Sequence, residues 1–364
     1  MNKNIGFLFC LMGGVLMTGC ADFYEKDPIA TERLRESPQY SEDHQKFRNN
    51  ANTDPMSLSK LWKVTKDYFN SRGTEAVPNS HIALKPLNLD DFSENAPQAL
   101  RFARLGHSTL LIQLGGKNWL TDPVFSSRAS PVQWAGPKRF HKPPIEIEQL
   151  PAIEGVIISH NHYDHLDYHS IQKLSAAVNY FIVPLGIGQT LKDWGVKPSK
   201  IVELDWWEKK KIGDVELIAT PSQHFSGRGL FDSDKTLWSS WVIRDSKQSA
   251  YFSGDSGYFP GFKEIGDAYG PFDLAFMECG AYNELWRDIH MMPEDTLQAF
   301  VDVKGKHLVP IHNGTFNLST HAWFDPMERI TDLTRKNNIE VLLPVMGETV
   351  SYSETMTDKQ KPWW

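Results

Sequence analysis

A chain of 364 residues that is 40% hydrophobic and 12% aromatic is long enough to bury a sizeable core, in one large domain or two small ones. Its net charge of −7, with no basic tract longer than residues 209–211, argues against a nucleic-acid partner gripped through its phosphates.

The first twenty residues, MNKNIGFLFCLMGGVLMTGC, place one lysine before an almost wholly apolar run at residues 5–17 and small residues before Cys20. That run is too short to cross a bilayer as a helix, so the pattern predicts a cleaved signal over residues 1–19. Met17-Thr18-Gly19-Cys20 resembles a bacterial lipoprotein cleavage box, which would make Cys20 the lipidated first residue of the mature chain. Ala21 behind it favours the outer membrane, facing the periplasm. Of the three cysteines, Cys10 would leave with the signal and Cys20 carry lipid, so Cys279 has no partner for an internal disulfide. An acidic mature chain would be held on the membrane by its acyl chains rather than by charge.

Residues 20–79 are polar, with scattered Pro38, Pro55 and Pro78 and short amphipathic patches such as LSKLWKVTKDYF. They read as a lipid-anchored tether carrying one or two peripheral helices. From Phe102 onward the texture changes to short apolar runs broken by Gly, Pro and Asp: STLLIQL, KNWLTD, GVIIS, YFIVP, VELIAT, LWSSWVIR, SAYFSGD, LAFMECG, HLVPIH and EVLLPV. These are strand signals. Helical periodicity lies between some of them, in HSIQKLSAAV and in PEDTLQAFVDVKG, which opens on Pro293 and acidic residues suited to a helix N-terminus. The alternation predicts an α/β layered fold with mixed sheets in one domain over residues 80–350, followed by a C-terminal tail, residues 351–364, either pendant or docked. Trp206, Trp207, Trp238 and Trp241 sit in strand-like runs and are expected in the core.

The stretch ISHNHYDHLDYHS, residues 158–170, continues an apolar run with four histidines and two aspartates. Following a strand, His160, His162, Asp164 and His165 cannot all point one way from a regular element, but a loop can aim them at two adjacent metal ions. Imidazole and carboxylate suit first-row metals, and a zinc site built from N and O donors keeps an open position for water. Further ligands should come from later strand ends. His224 in ATPSQHFSGRG, Asp255 in YFSGDSGYF and His312 in LVPIHNGTF each close an apolar run as His160 does.

HNHYDH matches the H-x-H-x-D-H motif of the metallo-β-lactamase superfamily, and the later His, Asp, His order matches its remaining motifs. The resemblance implies a four-layer αββα sandwich with two zinc ions at one edge, other first-row divalent metals being alternatives. His160, His162 and His224 would hold the first ion; Asp164, His165 and His312 the second; Asp255 would bridge. Residues 120–144, LTDPVFSSRASPVQWAGPKRFHKPP, together with LDWWEKK and HMMPEDT, resemble the N-acyl-phosphatidylethanolamine-hydrolysing phospholipase D group and its bacterial relatives.

That resemblance implies a phospholipid phosphodiesterase releasing phosphatidic acid and an N-acylethanolamine, with the membrane as its partner and a homodimer as one assembly. Asp164 and Asp255 would carry the metal-assisted chemistry, His290 and His321 would protonate the leaving alkoxide or orient phosphate, and Gln133 and Tyr163 would lie near the phosphate. Arg128, Lys138 and Arg139 would shape a mouth facing anionic lipid. Two alternatives stay open: a lactonase or carboxylesterase on the same fold, and a non-catalytic envelope lipoprotein with a structural metal.

Overall fold

The computed structural model describes residues 28–51, 75–93, 99–353 and 362–364, with residues 53, 60, 62, 63 and 66 as single positions. The expected signal and Cys20 lie outside these residues, as does most of the LSKLWKVTKDYF patch.

Helix α1 (Pro28–Glu36) and a small hairpin of β1 (Tyr40–Ser41) and β2 (Lys46–Phe47) come first. They are docked rather than free: Leu34 and Phe47 pack with Leu185, Trp206, Leu237 and Trp238. The segment read as a tether is therefore part of the folded body over these residues.

One sheet contains β3 (Arg101–Gly106), β4 (Thr109–Leu114), β5 (Lys117–Thr121), β6 (Gly155–Ile157), β7 (Tyr180–Pro184) and β8 (Ile201–Leu204). The other contains β9 (Lys209–Ile212), β10 (Val215–Thr220), β11 (Ser240–Arg244), β12 (Ser249–Phe252), β13 (Phe272–Glu278) and β14 (Gly305–Ile311), while β15 (Thr349–Ser351) returns to pair with β3. Their orders are β15-β3-β4-β5-β6-β7-β8 and β14-β13-β12-β11-β10-β9. Gly115 and Gly116, at φ of +62° and +68°, form the two-residue turn between β4 and β5, a backbone that other residues adopt at a cost.

Between the sheets, Phe102, Leu110, Ile112, Trp119, Ile157 and Ile182 meet Leu217, Trp241, Ile243, Phe252, Leu274 and Phe276. On the outer face of the first sheet, α2 (Tyr168–Leu174) and α3 (Ile187–Asp193) contribute Ile171, Leu174, Ile187 and Leu191. On the second, α4 (Gly261–Tyr269), α5 (Pro293–Asp302) and α6 (Asp325–Lys336) contribute Phe262, Ile265, Phe300, Met327 and Ile330. This is the four-layer αββα arrangement. It explains why strands such as β3 and β4 are buried at every position, since a sheet covered on both faces needs no polar alternation. The tail docks too: Trp363 and Trp364 pack on the second outer layer, and Trp363 Nε1 donates to the Leu343 carbonyl at 2.9 Å. Trp206, Trp238 and Trp241 are buried as expected, but Trp207 is 38% exposed, because it sits at positive φ in a turn rather than in a strand.

Strand direction positions the site. β5 to β8 are parallel, and β3 shares their direction because β4 is antiparallel to both β3 and β5. β12, β13 and β14 are parallel, and β10 shares their direction through β11. The end of β3 is stitched to the end of β14, His312 N donating to the His107 carbonyl at 3.2 Å. The loops leaving the C-terminal ends of these strands therefore gather at one edge of the sandwich.

Candidate metal centre

The loop after β6 carries His160, His162, Asp164 and His165, and closes on Asp167, whose side chain caps α2 by accepting from Ser170 N. His224 follows β10, Asp255 follows β12 and His312 follows β14. These seven side chains are brought together in two groups.

In the first, His162 Nδ1 lies 2.8 Å from His160 Nε2 and 3.3 Å from His224 Nε2. His224 Nδ1 donates to the Ile289 carbonyl at 2.9 Å, so its Nε2 is a bare lone pair aimed at its neighbours. In the second, Asp164 Oδ2 lies 3.3 Å from both His165 Nε2 and His312 Nε2. Asp255 Oδ2 stands between the groups, 3.0 Å from His312 Nε2, 3.2 Å from His165 Nε2, 3.8 Å from His224 Nε2 and 3.9 Å from His160 Nε2.

The donor chemistry fits divalent metal. His165 Nδ1 donates to Asp122 Oδ2 at 2.7 Å, which in the neutral ring leaves Nε2 as a lone pair facing two carboxylate oxygens, an arrangement that a metal ion relieves when bound and a proton on Nε2 when it is not. Asp255 Oδ1, His165 Nε2 and His312 Nδ1 are buried without a hydrogen-bond partner among the described residues. The electrostatics divide the same way. Burial holds His160, His162 and His224 below the ordinary histidine range, His162 at about 4, ready as neutral nitrogen donors. Burial opposes charge on His165 and His312 as well, but Asp255 and Asp164 outweigh it and push both up, His312 to about 10. Burial likewise opposes charge on Asp164 and Asp255, and the surrounding imidazoles, His165 foremost, hold both well below the usual carboxylate range.

Three site residues went unread in the sequence. His107, after β3, places Nε2 2.9 Å from Asp164 Oδ2, and burial with the neighbouring His312 pushes it down to about 3. Asp122, after β5, accepts from Ser159 N at 2.7 Å and Ser159 Oγ at 2.6 Å besides His165. Glu278, the last residue of β13, is fully buried, accepts from Ser256 N at 2.7 Å and hydrogen-bonds His290 Nδ1. Their signal was the one used for His160, a polar residue closing an apolar run, in RLGH, WLTD and FMEC. His107, Asp122 and His312 also hold positive φ, at 53°, 35° and 65°, a strain seldom tolerated outside functional loops.

The residues expected around the metals are placed unequally. The His290 ring lies 5.0 Å from that of His224 and 5.4 Å from that of His312, at the mouth of the site. His321 is partly buried, its ring stacked on that of Tyr282 at 4.3 Å. The Tyr163 hydroxyl donates to the Arg228 carbonyl at 2.9 Å, with the Arg228 guanidinium 3.9 Å above its ring. Gln133 is turned into its own loop, where Oε1 accepts from Ser127 Oγ at 3.0 Å and Arg128 N at 3.1 Å. Arg139, expected at a charged mouth, is buried and donates to the carbonyls of Val124, Leu105 and His141.

The Beta-lactamase superfamily domain matches residues 117–313, over half of the chain and all of the metal motifs. This chain belongs to the metallo-β-lactamase superfamily. Among its relatives, an uncharacterised Mycobacterium tuberculosis protein is 38% identical over 339 residues, covering 89% of this chain and 88% of the relative. The N-acyl-phosphatidylethanolamine-hydrolyzing phospholipase D 1 of Caenorhabditis elegans is 33% identical over 291 residues, covering 76% of this chain and 81% of that one. Among solved structures, the isothiocyanate hydrolase from Delia radicum gut bacteria superposes with a TM-score of 0.56 at 22% identity, over 70% of this chain and 99% of the other, a likeness of fold alone. The chain is a metal-dependent hydrolase of this superfamily, and its His/Asp clusters are consistent with a dinuclear metal site.

Proposed function

We propose that the protein is a dinuclear zinc phosphodiesterase of phospholipase D type, hydrolysing N-acyl phosphatidylethanolamines to phosphatidic acid and N-acylethanolamine. The observation that carries this reading is the coincidence of the two donor groups around Asp255 with the sequence identity to the nematode phospholipase D. His160, His162 and His224 would hold one ion and Asp164, His165 and His312 the other, with Asp255 shared. Two such ions supply positive charge to the phosphate oxygens and acidify water for in-line attack.

The remaining work falls to the protein. Asp122 and the Ile289 carbonyl fix the rings of His165 and His224, so that their Nε2 lone pairs face the site before substrate arrives. Glu278 holds His290 by Nδ1, which directs Nε2 away from that carboxylate and toward the mouth. Water oxygen forms the new bond to phosphorus and gives up a proton to solvent, the bond to the ethanolamide oxygen breaks, and the departing alkoxide takes a proton from His290 Nε2, which regains one from solvent. We also propose that Cys20 carries the lipid anchor and that the enzyme meets its substrate in the outer membrane; the cleavage box supports this.

The test uses zinc-loaded full-length protein in detergent, N-acyl phosphatidylethanolamine in mixed micelles, and mass spectrometry with and without chelator. Chelator-sensitive release of phosphatidic acid and the ethanolamide is the expected result. Hydrolysis of lactones or carboxyl esters, with no phosphodiester cleavage, would overturn the reading.

A further inference from the structure

Among the described residues, Phe231 at 83% and Trp134 at 77% are the most exposed large apolar side chains, and Leu230, at 65%, stands beside Phe231. Single exposed apolar residues are ordinary on a protein surface. These three are not scattered, because the two loops that carry them both leave the metal edge, one after β10 and the other after β5.

The loop with Leu230 and Phe231 is fixed to the site. It begins on Phe225, whose ring lies 4.5 Å from that of His162 and 4.7 Å from that of His224. Its base is closed by Asp234 N donating to the Ser226 carbonyl at 2.9 Å and Ser226 Oγ donating to the Thr236 carbonyl at 2.7 Å. Arg228 Nη1 donates to the carbonyls of Asn161 and Leu166, both at 2.7 Å, which pins it to the loop presenting the candidate ligands. The acids beside the tip are occupied: Asp232 accepts from Arg228 N at 2.9 Å and Gly229 N at 2.7 Å, and Asp234 faces Lys46 at 3.7 Å. Polar groups therefore turn inward where Leu230 and Phe231 project. The insert bearing Trp134 is held at the same edge, with Ser126 Oγ donating to Asp167, the neighbour of Leu166, at 2.8 Å and Phe140 N donating to the Thr315 carbonyl at 2.8 Å.

The proposed lipid anchor enters from the same side. Phe47 N donates to the Asp234 carbonyl at 2.7 Å, and Leu34 of α1 packs with Leu237 and Trp238 at the foot of the loop. From Cys20 to Pro28 the chain can reach at most about 29 Å even when fully extended, so acyl chains on Cys20 would keep this part of the body close to the lipid surface.

We propose that Leu230, Phe231 and Trp134 form a docking rim that enters the lipid bilayer and turns the metal edge toward it. This rests on the phospholipid reading above and adds to it how an anchored enzyme is oriented. The acyl chains retain the protein, while an apolar pair dipping below the headgroups and a tryptophan at their level set its tilt. A scissile phosphate at the bilayer surface then meets the metals without its lipid being lifted out.

The experiment reconstitutes the whole metal-loaded lipoprotein into phosphatidylethanolamine–phosphatidylglycerol vesicles, with and without brominated acyl chains. With Cys20 taken up by the proposed lipid and Cys279 buried, Phe231→Cys offers one reactive thiol for a fluorescent label. Lys117→Cys is the comparison, exposed at the start of β5 and so at the opposite edge of the sandwich. Brominated lipid should quench the label at 231 and leave that at 117 unchanged. Equal quenching at the two positions, or none at 231, overturns the proposal; so does a dimer in sedimentation that Phe231→Ser dissociates, since a second copy would then cover the rim. Replacing Leu230 and Phe231 together by serine should lower kcat/KM on N-acyl phosphatidylethanolamine in vesicles by about tenfold or more, while a short-chain form dissolved as monomers is cleaved as before. Equal loss on both substrates would put the pair in the active site and overturn the docking role. Absence of any phosphodiesterase activity falls on the parent reading, and the quenching comparison still decides the docking.

Discussion

Asp122→Asn is the sharpest test of how the second donor group is organised. The carboxylate has three donors: Ser159 N at 2.7 Å on one oxygen, and Ser159 Oγ at 2.6 Å with His165 Nδ1 at 2.7 Å on the other. An amide of the same shape offers one oxygen and one NH2. In one orientation the NH2 faces the His165 Nδ1–H; in the other it faces the Ser159 backbone N–H. Either way a fully buried donor loses its acceptor, a loss of about 1–3 kcal/mol. His165 can escape only by moving its hydrogen to Nε2, the atom needed for metal. Metal affinity at the second group should fall by about 10- to 100-fold, roughly 1.4–2.8 kcal/mol, while the group of His160, His162 and His224 is affected less. The assay is a metal titration against a chelating dye, resolved into two binding steps, with circular dichroism to show that the fold survives. A variant that binds both ions as tightly as the parent, or weakens both equally, would refute the reasoning.

Asp255→Asn should lower kcat by at least about a hundredfold, because one oxygen serves both donor groups; measuring rate and bound metal together checks it, and a fully active variant would remove Asp255 from the mechanism. Near pH 7 the metal-free protein carries protons on His165 and His312, so metal uptake should release them, and affinity should rise with pH toward the His312 value of about 10 and fall as pH drops. Calorimetry in buffers of different ionisation enthalpy reads this directly, and buffer-independent heats would contradict it. Asn49 reaches from the N-terminal segment to clamp the backbone of His224, Nδ2 donating to its carbonyl at 2.8 Å and Oδ1 accepting from its N–H at 3.1 Å. Asn49→Ala should therefore weaken the first metal group by several-fold and lower stability by about 1 kcal/mol, read by the same titration and by denaturant unfolding. Cys20→Ser should shift the protein from the membrane pellet to the soluble fraction of a bacterial lysate.

Legibility in the sequence followed how locally each feature is encoded. HNHYDH compresses four donors into one loop, and His224, Asp255 and His312 each end a run that reads as a strand, so the seven candidate ligands could be picked out together. The alternation of strand and helix signals predicted an α/β layered fold with mixed sheets in the same way, while the αββα order of the layers was implied by the family resemblance. His107, Asp122 and Glu278 close apolar runs too, but each stands alone in its stretch. Only the shared direction of β3, β5 and β13 makes them neighbours of the cluster, and strand order cannot be read from periodicity. Asn49 is harder still: it lies 175 residues from His224, in a segment whose polarity suggested a tether. Gln133 shows the converse, since a polar residue in a diagnostic insert proved to be occupied by its own turn.

The residues that were missed have a common character. His107, Asp122 and Glu278 are among the most deeply buried polar groups of the edge, and each touches a candidate ligand or a proposed proton donor. Burying a carboxylate under a donor loop is unfavourable unless its partners are fixed, and burial does push Asp122 and Glu278 up against the pull of their imidazoles. Positive φ at His107, Asp122 and His312 adds strain at the same edge. A fold selected for stability alone would place apolar side chains at these strand ends, as it does at Leu105, Leu120 and Ile311 just before them. The expense is intelligible if the edge is arranged to present lone pairs and carboxylate oxygens at fixed positions before metal or substrate arrives. That arrangement implies that removing the polar edge residues singly would leave a stable sandwich with a poorly aimed site, so effects on binding and turnover should exceed effects on unfolding at each of them.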